Sequence, residues 1–245
     1  MNPIILIPAR LGSTRLPGKV LADIAGLPMI VRVLHRARES ALGPVAVACG
    51  EPEIARAVQA AGGRAILTDP DLPSGSDRIF AALNEIDPDQ AHDVIINLQG
   101  DLPGIDPGDL KCVLRPLHDP RHDIATLVAP ITHAEEAVAA SVVKCVCAFA
   151  PGEDVAPALY FSRNAVPSGE GPLWHHIGIY AYRRAALARF VAAPPSLLEQ
   201  RERLEQLRAL EMGLGIGVTR IAKAPFGVDT PADLAQARID LGAKP

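Results

Sequence analysis

The first half of the chain alternates between short apolar runs and longer stretches in which apolar residues recur at helical spacing. The short runs cover residues 4–7, 45–48, 65–67, 94–98 and 124–129. Runs this short are typical of strands buried on both faces of a parallel sheet. Between them, residues 27–38 carry a helical stripe at Ile30, Val33, Leu34 and Ala37. This alternation predicts an α/β fold with a mostly parallel sheet and helices on both faces.

Polar residues at the edges of these stretches indicate where helices begin. Pro52 suits the first turn of a helix that runs to Ala60. A capping box at Ser74–Asp77 predicts a helix over 78–86, and another at Ser196–Glu199 predicts one helix to about Met212. Thr230 followed by Pro231 predicts the N-cap and first position of a last helix.

The pattern changes at about residue 131. Residues 142–149, 158–161 and 177–182 resemble strands with few helices between them, which predicts an antiparallel patch beside the main sheet. No linker is long enough to separate independent domains. The expected organisation is therefore one domain over residues 1–245, with a smaller β-rich lobe at 131–183.

Composition excludes several classes of protein. The chain has 245 residues, 49% of them hydrophobic, and a net charge of −4, which argues against a general nucleic-acid binder. No stretch approaches the roughly 18 apolar residues of a membrane span, and no secretory signal is recognisable. The four cysteines form no C-x-x-C pair. We therefore expect free thiols, a cytoplasmic location, and neither nucleic acid nor membrane as a partner.

A basic loop follows the first apolar run. Three cations, Arg10, Arg15 and Lys19, lie among small residues that include Gly12, Ser13 and Gly18. Open α/β sheets place their ligands at the carboxyl ends of strands, where this loop would lie. Cations beside small residues, which let backbone N–H groups approach closely, suit a polyanion such as a nucleoside triphosphate.

The residues of this loop do not match two common nucleotide-binding motifs. A Walker P-loop is excluded because Gly18 comes one position late and Val20 stands where Ser or Thr should hold magnesium. A dinucleotide fingerprint is excluded because no G-x-G-x-x-G occurs here. From the residues alone, a plain basic surface loop remains open.

Two carboxylates are candidates for a metal site. Asp101 follows the run 94–98 and Gly100, so it can reach a magnesium ion at the edge of the sheet. Its alternative role is to cap the turn before Pro103. Asp229 precedes the last helix, where the helix dipole alone could favour a carboxylate.

The basic loop, I-P-A-R-L-G-S-T-R-L-P-G-K, resembles the signature of sugar nucleotidyltransferases that activate eight-carbon acid sugars. Within that group the chain is most similar to the 3-deoxy-manno-octulosonate (KDO) cytidylyltransferase family. Further motifs resemble this family in the same order: A-A-G-G to Gly63, S-G-S-D-R from Ser74, A-L-Y-F-S-R to Arg163, H-I-G-I-Y from His176, L-E-Q-L-R from Leu204 and G-V-D-T-P from Gly227. The resemblance spans residues 3 to about 240.

This resemblance implies a Rossmann-like nucleotide-diphospho-sugar transferase fold. The lobe at 131–183 would contribute to the sugar site and to the contact of a homodimer. The implied reaction transfers CMP from CTP to KDO and releases pyrophosphate, in lipopolysaccharide biosynthesis. Alternatives are an 8-amino-KDO or another acid sugar as substrate, or a catalytically silent homologue that binds nucleotide sugars.

The resemblance also implies roles for individual residues. Arg10, Arg15 and Lys19 would hold the triphosphate, and Asp101 and Asp229 would bind Mg²⁺. The remaining substrate-binding candidates are Ser13, Ser74, Arg78, Gln99, Arg163, His176, Tyr180, Glu205 and Gln206. Taken without the resemblance, His176 could be a satisfied core group, and Glu205 and Gln206 a solvated helix face.

Two positions depart from the family pattern. Leu102 stands where Q-G-D-E-P has an acidic residue, and Gly50 stands where A-T-D has one. Two carboxylates are therefore missing near the expected site, although Asp101 is kept. The number of magnesium ions and the exact acid sugar remain open.

Overall fold

The structure is a computed structural model that describes residues 1–13 and 16–242. The chain divides into two compact units, Met1–Leu110 with Pro225–Pro245, and Lys111–Ala224. Both ends of the chain therefore contribute to the first unit. Residues 131–183, expected to form a smaller lobe, all belong to the second unit, which extends beyond them at both ends.

Strands and helices alternate through the first half of the chain. Their bounds are β1 (Pro3–Ala9), β2 (Asp23–Ile24), β3 (Leu27–Pro28), α1 (Met29–Glu39), β4 (Val45–Cys49), α2 (Pro52–Ala60), β5 (Arg64–Leu67), α3 (Gly75–Ile86), β6 (Val94–Asn97) and α4 (Pro107–Cys112).

Short strands dominate the part that follows, and helices return towards the end. These elements are β7 (Ile124–Pro130), α5 (Ala134–Val138), β8 (Lys144–Val146), β9 (Val155–Pro157), β10 (Tyr160–Ser162), β11 (Trp174–Arg183), α6 (Arg184–Ala192), α7 (Leu197–Glu202), α8 (Gln206–Glu211), β12 (Ile216–Arg220) and α9 (Pro231–Gly242).

The first unit contains a parallel sheet in the order β5–β4–β1–β6. Strand β1 pairs on both sides, and Ile5, Leu6 and Ile7 are completely buried. Helix α1 buries its apolar stripe against this unit. The predicted parallel α/β arrangement is confirmed here, because apolar side chains point to both faces of strands that are covered by helices.

The end of the chain returns to the first unit. Helix α9 contributes Leu234 and Ala237 to an apolar cluster with Ile24, Met29 and Val228. The predicted helix start is confirmed by reciprocal bonds, in which Asp233 N donates to Thr230 Oγ1 (3.2 Å) and Thr230 N to Asp233 Oδ2 (2.8 Å). This packing fixes the chain just before α9, where Asp229 lies.

The second unit is built around β7. This strand pairs antiparallel with β11 and parallel with β12, and β9 adds antiparallel to β12. The predicted antiparallel patch is therefore confirmed. Helix α6 was not predicted, because its buried residues Ala186, Leu187 and Phe190 are set among arginines and alanines that hide the stripe.

The single helix predicted after Ser196 is wrong. The capping box with Glu199 is present, but α7 ends at Glu202, and Arg203 adopts a left-handed backbone with φ of 56°. Arg163 Nε donates to the Glu202 carbonyl (2.9 Å) and its NH2 to the Arg203 carbonyl (3.1 Å). In a continuous helix these two carbonyls would accept from main-chain N–H groups of the next turn. Here they accept from a side chain instead, so the helix is interrupted and α8 is a separate helix.

Two further expectations concern the class of protein. Among the described residues, none of the helices has both the length and the apolar character needed to cross a bilayer. The four cysteines, all within the described ranges, are free thiols, as predicted.

Candidate active site

The first unit has a cavity of about 410 Å³ at the carboxyl ends of β1 and β6, which is within the usual size range of small-molecule sites. Predicted site residues from the two ends and the middle of the chain line it, namely Arg10, Ser13, Lys19, Ser74, Arg78, Gln99, Asp101 and Asp229. Arg15, also predicted, lies outside the described residues. The structure therefore gathers the other first-unit candidates around one space.

Lys19 is at the centre of the charged groups of this cavity. Its Nζ donates to Asp101 Oδ2 at 2.8 Å and to Asp229 Oδ1 at 2.9 Å. A third bond reaches the Val228 carbonyl at 3.1 Å. Two carboxylates that are far apart in sequence thus face the same cation.

The backbone holds these two carboxylates in place. A Cβ built on Gly100 would lie 3.1 Å from the Pro8 carbonyl oxygen, so a larger residue would crowd β1, and glycine lets the chain pass this close to it. Val228 N donates to the Asp101 carbonyl at 3.0 Å, which ties the segment before α9 to the end of β6. Asp101 and Asp229 are therefore neighbours because of main-chain contacts as well as their shared lysine.

The electrostatics of this cluster are dominated by the carboxylates. Burial lowers the pKa of Lys19, but Asp101 and Asp229 outweigh it, and the net pKa is raised above its ordinary value. Lys19 is therefore a permanent cation at physiological pH. Two carboxylates with one ammonium leave a net negative charge, which a further cation can offset.

The donor set at this position fits magnesium. No group of three or more His, Cys, Asp or Glu suited to a metal occurs among the described residues. Mg²⁺ differs from zinc in that one or two carboxylates suffice when phosphate oxygens and waters complete its shell. Asp101 and Asp229 are the residues that would hold it.

The wall of the cavity at the start of α3 is rigidly bonded. Ser74 Oγ accepts from Asp77 N (3.2 Å) and donates to Asp77 Oδ2 (2.6 Å), which confirms the predicted cap. Arg78 donates to Thr68 Oγ1 (2.6 Å) and to the Asp69 and Pro70 carbonyls (3.0 and 3.1 Å). Because these groups already have partners, Ser74 and Arg78 shape the wall as well as facing the cavity.

The second unit brings three of the other candidates together. The His176 ring lies 5.5 Å from the Tyr180 ring, and its Nε2 lies 3.2 Å from Thr126 Oγ1. Burial raises the pKa of Tyr180 well above its ordinary value, with further contributions that include nearby Glu205. His176, Tyr180 and Glu205 therefore form one cluster, which the spacing along the sequence did not show.

Gln206 is buried at the start of α8. Its side chain is only 7% exposed, and its Nε2 hydrogen-bonds to nothing in the part of the chain that the structure describes. The interpretation of this residue as part of a solvated helix face is therefore wrong. A buried amide donor without a partner is costly, which points to a ligand that accepts from it.

The side chain of Arg163 donates hydrogen bonds to three main-chain carbonyls of the second unit. Besides its bonds to Glu202 and Arg203, its NH1 donates to the Ala140 carbonyl at 2.9 Å. The substrate-binding role predicted for Arg163 would need some of these bonds to break. In this structure Arg163 stabilises the turn that separates α7 from α8.

The buried His176 predicts a pH dependence of stability. Burial lowers the pKa of His176 to about 3, with a smaller contribution from His175. Because the unfolded chain takes up this proton near pH 6.5, stability is lost as the pH falls from about 6.5 towards 3. Between pH 7 and pH 5 the contribution is about 2 kcal/mol.

Urea unfolding of the wild type and His176→Gln at both pH values measures this effect. We expect the wild type to lose about 2 kcal/mol more than the variant on acidification. Equal losses in the two proteins would contradict a buried neutral imidazole.

Sequence reasoning missed several groups that build these sites. The bonds of the Val228 carbonyl and of its N–H could not be predicted from the sequence, because main-chain groups are the same in almost every residue. Asp233 could have been recognised, since Thr230-x-x-Asp233 has the form of a capping box. Glu51, which bonds to the basic loop, gave a weaker hint, because glutamate is a poor N-cap residue.

The chain is similar to known proteins over nearly all of its length. Residues 4–219 match a family model described as Cytidylyltransferase. The chain is 58% identical to a 3-deoxy-manno-octulosonate cytidylyltransferase of Rhodospirillum centenum, covering 100% of this chain and 96% of that one. A relative of the same name in Parvibaculum lavamentivorans is 58% identical over 99% and 94% of the two chains.

Among solved structures, one of CMP:2-keto-3-deoxy-manno-octonic acid synthetase complexed with CTP is similar. The TM-score is 0.90 and the identity 42%, and 98% of each chain is covered. The likeness thus extends over the full length of both chains.

Proposed function

Because this chain belongs to the 3-deoxy-manno-octulosonate cytidylyltransferase family, we propose that it transfers CMP from CTP to KDO, releases pyrophosphate and serves lipopolysaccharide synthesis. Sequence identity over the full length supports the substrates. The observation that carries the chemistry is the convergence of Asp101 and Asp229 on Lys19 beside a glycine-containing basic loop.

The reaction needs little covalent participation by the protein. A sugar hydroxyl attacks the α-phosphorus of CTP while pyrophosphate leaves in line, and negative charge grows on the leaving group. Arg10 and Lys19, which line the cavity, would hold the phosphates and offset that charge. Positioning and charge neutralisation therefore account for most of the proposed catalysis.

We propose Mg²⁺ as the cofactor, held by Asp101 and Asp229. Bound there, it would supply charge neutralisation at the phosphates. The carboxylates would place it, and Lys19, which bonds to both, keeps them close together. The hydrogen bond from Val228 N to the Asp101 carbonyl also keeps Asp229 beside Asp101, so that both acids would reach the same ion.

The sugar would be recognised by residues of the second unit. His176 is neutral at physiological pH because of burial, so it can donate or accept a hydrogen bond without adding charge. Tyr180 keeps its proton for the same reason. Gln206 offers an unpartnered buried amide donor, which suits an oxygen-rich acid sugar.

A homodimer in the cytoplasm completes the proposal. Val138 and Leu159, both in residues 131–183, are 78% and 63% exposed. Apolar side chains so exposed would be covered in a dimer that uses this region, as the family resemblance implies. Free thiols at all four cysteines suit a reducing compartment.

Pyrophosphate release is the direct test of this function. Purified protein with CTP, Mg²⁺ and KDO should release pyrophosphate, and chelation of the metal should stop the release. KDO should be used faster than its 8-amino analogue or neuraminate. An inert mixture that still binds CTP would instead favour a silent homologue.

A further inference from the structure

Glu51 has an unusual place for a glutamate at the start of a helix. It is the N-cap residue of α2, with an extended backbone, but its side chain makes no capping bond to its own helix. Instead Oε2 accepts a hydrogen bond of 3.0 Å from the Leu11 N–H, 40 residues earlier in the chain. The carboxylate therefore serves the basic loop rather than α2.

Leu11 connects the two described parts of this loop by hydrogen bonds. Its carbonyl oxygen accepts from Ser13 N at 2.8 Å and from Gly18 N at 3.2 Å. Ser13 lines the cavity, and Gly18 directly precedes Lys19, which binds Asp101 and Asp229. The carbonyl of Leu11 thus connects both sides of the loop, and Glu51 holds the same residue through its N–H.

The surroundings of Glu51 contain cations. A Cβ built on the adjacent Gly50 would lie 3.2 Å from Arg78 NH1 and 3.5 Å from Arg10 Cβ. Burial lowers the pKa of Arg78, and Glu51 is the first group that opposes this effect. Glu51 therefore has two separable properties here, an acceptor for Leu11 and a negative charge among arginines.

We propose that Glu51 is a positioning residue for the nucleotide loop, acting through the Leu11 N–H to hold Ser13 and Lys19 in their places at the cavity. Its expected effect on CTP rests on the proposed function. The acceptor and not the charge is the essential property, because the bond to Leu11 is what fixes the loop. The charge itself opposes the binding of a triphosphate.

Two substitutions separate these properties. Glu51→Gln keeps an oxygen acceptor and removes the charge, whereas Glu51→Ala removes both. We expect Glu51→Ala to raise the Kd for CTP about tenfold, since it removes the acceptor that anchors the Leu11 N–H. Glu51→Gln should stay within about twofold of the wild type or bind slightly tighter, and KM for KDO should not change in either.

Glu53→Ala is the matched control. Glu53 lies on the same helix, 52% exposed, with only an exposed ion pair to Arg56. It should bind CTP as the wild type does. A Glu51→Ala variant with wild-type affinity, or a Glu51→Gln variant as weak as Glu51→Ala, would overturn the proposal.

Hydrogen exchange at the Leu11 and Gly18 amides gives a readout that needs no nucleotide. Both amides should exchange at least tenfold faster in Glu51→Ala and keep their protection in Glu51→Gln. Unchanged protection in Glu51→Ala would overturn the anchoring. If the wild type binds no CTP, the proposed function fails, while these amides still decide whether Glu51 holds the loop.

Discussion

Replacing Asp101 or Asp229 by asparagine is expected to lower turnover at least about 100-fold without unfolding the protein. Each substitution keeps the shape of the side chain and removes one of the two charges that face Lys19. Because both acids would act on one metal ion, the double variant should be little worse than either single one. Steady-state pyrophosphate release at saturating CTP and KDO measures the loss.

Asp89→Asn is the control for this experiment, because Asp89 is exposed and does not line the cavity. It should keep wild-type turnover, and all variants should show a native circular dichroism spectrum. Near-normal turnover in Asp101→Asn or Asp229→Asn would contradict the assignment of these acids to the metal.

Replacing Arg208 by alanine should lower the free energy of unfolding by about 3–5 kcal/mol. Its side chain is 9% exposed and binds Glu199 through NH2 at 2.5 Å and Nε at 2.8 Å. The guanidinium also lies 4.7 Å from the centre of the Phe190 ring and donates to the Phe190 and Ala193 carbonyls. Its removal leaves the nearly buried Glu199 carboxylate without its cation and deprives the Phe190 and Ala193 carbonyls of one donor each.

Urea unfolding compares this variant with Arg56→Ala. Arg56 forms its ion pair with Glu53 at 3.4 Å, and the two side chains are 69% and 52% exposed. Its loss should change stability by less than about 1 kcal/mol. A similarly small change in Arg208→Ala would show that the Glu199 pair contributes little to the stability of α7 and α8.

Much of the first unit could be predicted because each local signal agreed with the next. The all-apolar run at β1, the stripe of α1 and the Thr230 cap each specify one structure, and all three appear. The break at Arg203 could not be predicted, because its cause is a side chain 40 residues earlier in sequence. Helix α6 was missed because a stripe of small residues carries little periodic signal.

The candidate site was predictable to a different extent. Residue types and motifs indicated Lys19, Asp101 and Asp229, but only the fold shows that the lysine lies between the two acids. Leu102, which replaces an acidic residue of the family pattern, is nearly buried, so this position packs rather than binds a cation. The contact of Glu51 with the basic loop could not be predicted, because its partner is a main-chain N–H, which almost any residue can supply.

The division of the first unit between both ends of the chain has a consequence for synthesis. A ribosome makes residues 225–242 after the whole of the second unit, so Val228 and Asp229 can reach Asp101 only after residues 111–224 have been synthesised. Chains released early would carry Lys19 and Asp101 but lack the second acid. If Asp229 holds the metal as proposed, chains that terminate before this residue should therefore be inactive.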